Sequence, residues 1–216
     1  MLQLGISAAC AYVRKVLDEL TSVEDIGMLA SPDAVDLHKL VEGAIVEAAV
    51  KVHSNAPSIL LDGIKGVIGV DYDVTISEDN VATITMLKDT VRIASVKADD
   101  SSVVVCDLIP EDSAEGRKQL NPYVRGVHDD PRVVLNKVWA DSHKPVLTYY
   151  TVTYQGAGLS VEYVPYPEID ETIILISPQL QYAVLNELAA MVCDSLGETD
   201  KAALCRAKSK EYMEGK

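Results

Sequence analysis

The sequence predicts an α+β protein: a helical bundle formed by the N- and C-terminal helices, with a large central antiparallel β insertion. Three observations predict it. Apolar residues recur with a 3.6-residue period in 7–56 and again in 177–213. From Gly66 to Tyr166 the period falls to two, in stretches rich in Val, Ile, Thr and Tyr. No helix of useful length separates those stretches, so neighbouring strands should pair antiparallel. The expected division is a discontinuous helical unit, 1–65 with 167–216, and a β domain at 66–166.

The first helix places Ala9, Val13, Val16, Leu17 and Leu20 on one side and Arg14, Lys15, Asp18 and Glu19 on the other. Ser31-Pro32-Asp33 announces a second: Ser caps the orphan amides, Pro fits the first helical position, and Asp complements the positive helix end. Leu37, Leu40, Val41, Ala44, Ile45, Ala48 and Val52 follow, until Asn55-Ala56-Pro57 stops the helix. Seven strands are expected: Val67–Thr75, Val81–Met86, Val91–Lys97, Val103–Ile109, Val133–Trp139, Val146–Tyr154 and Leu159–Val164. Turn chemistry separates them at 77–80, 98–101 and 155–158. Between Pro110 and Pro131 lies a long polar loop of mixed charge, a length that in a compact domain marks a functional or mobile segment. Ser177-Pro178-Gln179 repeats the capping logic, and Leu180, Ala183, Val184, Leu188, Met191 and Val192 form the next stripe, ended by Gly197. Thr199-Asp200 should cap a last helix with Ala203, Leu204 and Ala207 inward.

Composition narrows the function classes. No apolar run approaches the roughly 20 residues of a membrane-spanning helix. The N-terminus lacks the pattern of a signal peptide, so the chain is expected to be made in a cytoplasm. A net charge of −14 repels phosphate, which argues against a DNA-gripping protein. Ten Tyr with no Phe suggest half-buried rings with wet hydroxyls.

Few residues suggest chemistry. Cys10, Cys106, Cys193 and Cys205 lie far apart without metal or redox spacing, and read as structural thiols. His38, His53, His128 and His143 have no spacing that seats a metal. Asp71 and Asp73 would share one strand face and could hold a divalent ion, but alternation makes a solvated face the simpler reading. The Gly63, Gly66 and Gly69 run matches no nucleotide-binding spacing and reads as a flexible junction. No Ser sits in a nucleophile elbow. The sequence therefore assigns no catalytic residue, cofactor or metal. Arg117, Lys118, Arg125, Arg132, Lys137 and Lys144 are interleaved with acids, which suits a partner surface or a plain solvated loop better than a nucleic-acid groove.

The run from Pro178 through Tyr182, Cys193 and Gly197 to Tyr212 resembles the last helix pair of tailed-phage neck proteins. In these head–tail connector, adaptor, ring or tail-tubular proteins, a Pro-led helix ends in a small-residue acidic turn, and a second helix runs to a terminal Tyr. The plan of an N-terminal helix pair, a β insertion and a closing helix pair is also similar, although the insertion here is larger than a minimal adaptor needs. The resemblance implies a structural virion component of the neck or tail, assembled in the host cytoplasm. It implies a homo-oligomeric ring, often twelvefold, docked on a portal protein and further neck or tail proteins. Genomic double-stranded DNA would pass through it without specific binding. The candidate assembly-interface residues are then Arg117, Lys118, Tyr123 and Arg125 on the long loop, with Tyr182 and Tyr212 in the closing helix pair. Two other classes compete: a small cytoplasmic metal-dependent enzyme using Asp71 and Asp73, and a β-sheet ligand-binding module using Tyr149, Tyr150, Tyr154, Tyr163 and Tyr166.

Overall fold

The computed structural model describes residues 1–20, 37–127, 129–136, 143–150, 152, 158–170 and 172–215, with the side chains of 18–20 excepted. The chain is mixed α+β and divides into two compact units, one of 1–61 with 167–216 and one of 62–166. Ser31-Pro32-Asp33, Trp139 and most of the 155–158 turn lie outside the described residues.

In the first unit, β1 (Leu2–Gly5) leads into α1 (Ile6–Leu20), and α2 spans Leu37–Asn55. After the second unit come β11 (Ile173–Ile176), α4 (Gln181–Ser195) and α5 (Thr199–Glu214). Helix α4 is buried on nearly every side from Ala183 to Ala190, because α1, α2 and α5 all pack on it. Val13, Val41, Ile45, Ala48, Ala49, Val52, Val184 and Leu188 share that core. The many Ala residues let backbones approach closely, so the burial that drives folding is spread over small side chains. Glu187 is 5% exposed and takes Lys51 of α2 at 2.5 Å and Arg206 of α5 at 3.9 Å, tying three helices together.

Three details differ from the sequence reading. Strands β1 and β11 pair antiparallel, although 172–177 carries no alternation; Ile174 and Ile176 enter the helical core while Leu175 faces out. Helix α5 buries Ala202, Cys205 and Ser209 in place of Ala203, Leu204 and Ala207. Cys and Ser are small enough for close approach, and Ser209 Oγ donates to the Ala183 carbonyl at 2.9 Å. Thr199 is the first residue of α5 and does not cap it; Glu198 holds the cap position without a side-chain bond.

The second unit holds two sheets. One orders β2 (Ile64–Lys65), β10 (Leu159–Pro165), β5 (Thr90–Ala98) and β6 (Val104–Val105). The other orders β3 (Tyr72–Ile76), β4 (Val81–Met86), β9 (Val146–Tyr150), β8 (Arg132–Leu135) and β7 (Ile109–Pro110). Alternate residues of both enter one core, including Ala82, Ile84, Met86, Val96, Leu147, Tyr149 and Val161. The expected strand Val103–Ile109 survives only as the two short pieces β6 and β7, and β7 pairs with β8 in parallel, not antiparallel. A six-residue helix, α3 (Ala114–Gln119), is enough to carry the chain between them.

Tyr in place of Phe has an interior explanation. Tyr72, Tyr149 and Tyr163 are each 1% exposed, not half-buried. The Tyr72 hydroxyl donates to the Leu159 carbonyl at 2.6 Å, so a ring from one sheet pins a strand of the other. The glycine run is a packing device and not a loose junction. A Cβ at Gly66 would sit 2.8 Å from the Tyr72 ring, one at Gly63 would meet Ala94 Cβ at 2.9 Å, and Gly69 has φ +79°.

Candidate functional site

The 110–131 segment, expected to be a functional or mobile loop, carries folded structure of its own among the described residues. Ser113 Oγ accepts from the Gly116 N–H at 2.9 Å and donates to the Pro110 carbonyl at 2.7 Å, which starts α3. Gly116 is required there, since a Cβ would lie 2.3 Å from the Pro110 carbonyl oxygen. Gln119 is buried, and its Oε1 accepts from the Gly126 N–H at 2.8 Å, drawing the two ends of the following turn together. Asn121 Oδ1 accepts from the Tyr123 N–H at 3.0 Å, the local bond that makes Asn a turn former. Arg125 reaches the Asp79 carbonyl at 3.0 Å on the β3–β4 turn, and Arg132 pairs with Asp130 at 2.8 Å and Glu115 at 3.8 Å.

This frame holds apolar side chains outward. Tyr123 is 95% exposed and Leu120 75%, with Val124 and Val127 beside them in sequence and also exposed. Arg117 and Lys118 are exposed and Arg125 is half-buried; among the described residues none of the three has a carboxylate partner. Four of the six interface candidates therefore share one arm of the second unit. Sequence reasoning missed Leu120, Val124 and Val127, whose signal was an apolar residue every three or four positions across a stretch read as polar.

Tyr182 and Tyr212 belong to the first unit. They stack with centroids 5.5 Å apart, closing the open end of the α4–α5 pair. Tyr12 of α1 approaches Tyr182 at 6.4 Å, and burial raises its pKa. Asn186 donates to the Tyr12 hydroxyl at 2.9 Å and to the Tyr182 carbonyl at 2.8 Å, while its Oδ1 has no partner among the described residues. Part of these tyrosines' surface is thus spent inside the chain. Tyr12 is a member the sequence could not reveal, lying far from both in the chain.

Asp71 and Asp73 do not form a pair. Asp71 is 7% exposed and receives Lys88 at 2.8 Å and the Val67 N–H at 2.8 Å, whereas Asp73 is exposed. The Lys88 ammonium, opposed by burial, holds the Asp71 carboxyl below its usual value. Tyr163 bonds to the same carboxylate, and its hydroxyl is pushed up to about 12 by burial and by that charge. The solvated-face reading is corrected for Asp71: it is a structural carboxylate that fixes the Val67–Asp71 turn around Gly69. No group of three or more His, Cys, Asp or Glu able to hold a metal occurs among the described residues.

A cavity of about 390 Å³ opens in the second unit, with Ile93, Leu108, Leu135 and Pro145 in its wall and Cys106, Asp107 and His143 as polar members. Among the described residues no hydrogen bond joins the Cys106 thiol to His143, whose ring stacks on Tyr166 with centroids 4.5 Å apart. A nucleophile needs its base within hydrogen-bond reach, and this arrangement does not supply one. Of the remaining thiols Cys10 is half-buried, Cys193 and Cys205 are buried, and Cys193 is pushed up by its hydrogen bond to Cys205 and by burial. No family model, curated protein or solved structure matches the chain.

Proposed function

We propose that this chain is a structural subunit of a homo-oligomeric ring in the head–tail neck of a tailed phage, docked on a portal protein around the DNA channel. The observation that carries the reading is the 110–131 arm. A capped helix, a buried Gln119 and an Asn turn hold Tyr123 almost wholly in solvent, and an aromatic side chain so displayed gains stability only when a neighbour covers it. The acidic surface adds support, since a channel lining should not grip the DNA that slides past it.

In this reading α1, α2, α4 and α5 act as one bundle, and the β domain is an insertion between its helices. The α4–α5 pair, turned at Gly197 with φ +82° and closed by the Tyr182–Tyr212 stack, carries the resemblance to the closing helix pair of neck proteins. The mature location is the virion neck or tail. Size-exclusion chromatography with light scattering tests the proposal: a discrete multiple of 23.4 kDa supports a ring, and a monomer that stays monomeric as concentration rises counts against it.

A further inference from the structure

We propose that Cys193 and Cys205 close a disulfide across the α4–α5 hairpin under oxidising conditions, a redox latch that fastens the last helix to the core. The latch goes beyond the ring reading and does not depend on it.

Helix α5 has little else to hold it. It packs chiefly on α4 and buries only Ala202, Cys205 and Ser209 of its sixteen residues. A helix held by so few buried side chains opens locally at low cost. Arg206 adds ion pairs to Asp194 and Glu187 of α4, and Ser209 Oγ donates to the Ala183 carbonyl.

Those contacts bracket the two thiols. Arg206 and Asp194 follow Cys205 and Cys193 in the chain, and their side chains meet across the helices. One turn further along α5, a hydroxymethyl group is long enough to reach the backbone of α4, so the helices run close together. A disulfide needs its Cα atoms about 4.4–6.8 Å apart, a separation that small residues at a helix contact allow. Cys193 and Cys205 belong to one core and are at most 1% exposed, and the Cys193 thiol donates a hydrogen bond to the Cys205 sulfur.

The two sulfurs are unequal in the way the reaction needs. The Cys193 hydrogen bond pulls Cys205 below the ordinary thiol value, opposed by burial and aided by Lys208, so Cys205 is the nucleophile. With hydrogen peroxide as oxidant, the Cys205 thiolate attacks one peroxide oxygen and the O–O bond breaks. The hydroxide that leaves takes up the proton given up by Cys205 and becomes water. The Cys193 sulfur then attacks the sulfenic sulfur of Cys205, the S–O bond breaks, and the hydroxyl leaves with the Cys193 proton as a second water. Two thiols are oxidised to one disulfide, and the peroxide is reduced to two waters. Peroxide is little larger than water and reaches the pair when α5 opens.

The test uses Cys106→Ser protein, which lacks the exposed thiol. It is treated with hydrogen peroxide, alkylated and digested with trypsin without reduction. Trypsin cuts after Lys201, between the two cysteines, so the bond shows as the peptide Ala202–Arg206 linked to the one that holds Cys193. The expected result is that linked pair, released by dithiothreitol and absent from Cys106→Ser/Cys193→Ser protein. Brief trypsin treatment of the native, bonded protein should cut within α5 about tenfold more slowly than in reduced protein. A parallel sample is refolded from urea in glutathione and glutathione disulfide, which gives full access to the thiols; each bond formed reduces one glutathione disulfide to two glutathiones. The linked pair from either route supports the latch. Its absence from both, a bond from either cysteine to Cys10, or α5 cut equally fast in bonded and reduced protein overturns it.

Discussion

His53→Ala should cost about 2–4 kcal/mol, and the loss should depend on pH. His53 is 2% exposed near the end of α2. Its Nδ1–H donates to the Ala49 carbonyl at 2.7 Å, and its Nε2 accepts from the Ser177 N–H at 3.0 Å. A carbonyl can only accept and an amide N–H can only donate, so these two bonds fix one neutral tautomer. The imidazole thereby satisfies the amide of Ser177 at the start of the turn that opens into α4; Ser177 itself, expected to cap that turn, makes no side-chain capping bond. Truncation leaves the buried Ser177 N–H without its acceptor, at about 1–3 kcal/mol, and adds the void left by the ring. The Ala49 carbonyl keeps its helical partner. For a chain of this size the sum corresponds to a fall of about 4–16 °C in thermal midpoint. Burial lowers the His53 pKa below its ordinary 6.5, opposed by the Ala49 bond. The unfolded chain then takes up the proton at higher pH than the folded one. The stability from neutral His53 is full above about pH 6.5 and declines as pH falls through the folded value, by at most about 1.4 kcal/mol per pH unit. Urea denaturation followed by helical circular dichroism, repeated from about pH 7.5 to 5, reads both effects. A cost below about 0.5 kcal/mol, or parallel pH profiles for wild type and variant, would refute the reasoning.

Other outcomes follow from the same geometry. Asp71→Ala should destabilise the second unit by about 1–3 kcal/mol in urea melts, while Asp73→Ala stays within about 0.5 kcal/mol, because only Asp71 is buried and bonded. The Asp71 contribution is present above its ordinary pKa of 3.8 and is lost as pH falls through the lowered folded value, so acid titration of that variant should lack this step. Gly66→Ala should destabilise by about 1–3 kcal/mol, since its new methyl must displace the Tyr72 ring; a neutral result in thermal melts would show that the ring moves freely. Of the four thiols, Cys106 should react first with a thiol reagent in native protein, and Cys193 and Cys205 only on unfolding, as a stopped-flow labelling course can show.

What the sequence made legible was whatever a repeating pattern encodes. Val41, Ile45, Ala48 and Val52 read as a buried helical face and are one, and Ala82, Ile84 and Met86 alternate inward as a strand should. Elements of only one or two periods escaped. Strands β1 and β11 have four residues each and α3 six, too few for alternation or a turn-by-turn stripe to register. The face of α5 was misread because hydropathy favoured Ala203 and Leu204, while packing selected the small Cys205 and Ser209. The site was legible only as a suspicious loop. Tyr123 could be picked out from its neighbours Pro122 and Arg125, but nothing local says that it is held in solvent by Gln119 and Asn121. Asp71 was misjudged for a different reason, as its partners Lys88 and Tyr163 are distant in the chain.

The most direct test of the ring account is electron microscopy of the purified protein, classified without imposed symmetry. The account predicts closed annular particles with an axial hole, built from identical 23.4 kDa subunits. Fields of isolated subunits at every concentration, or open clusters without a repeating rotation, would contradict it.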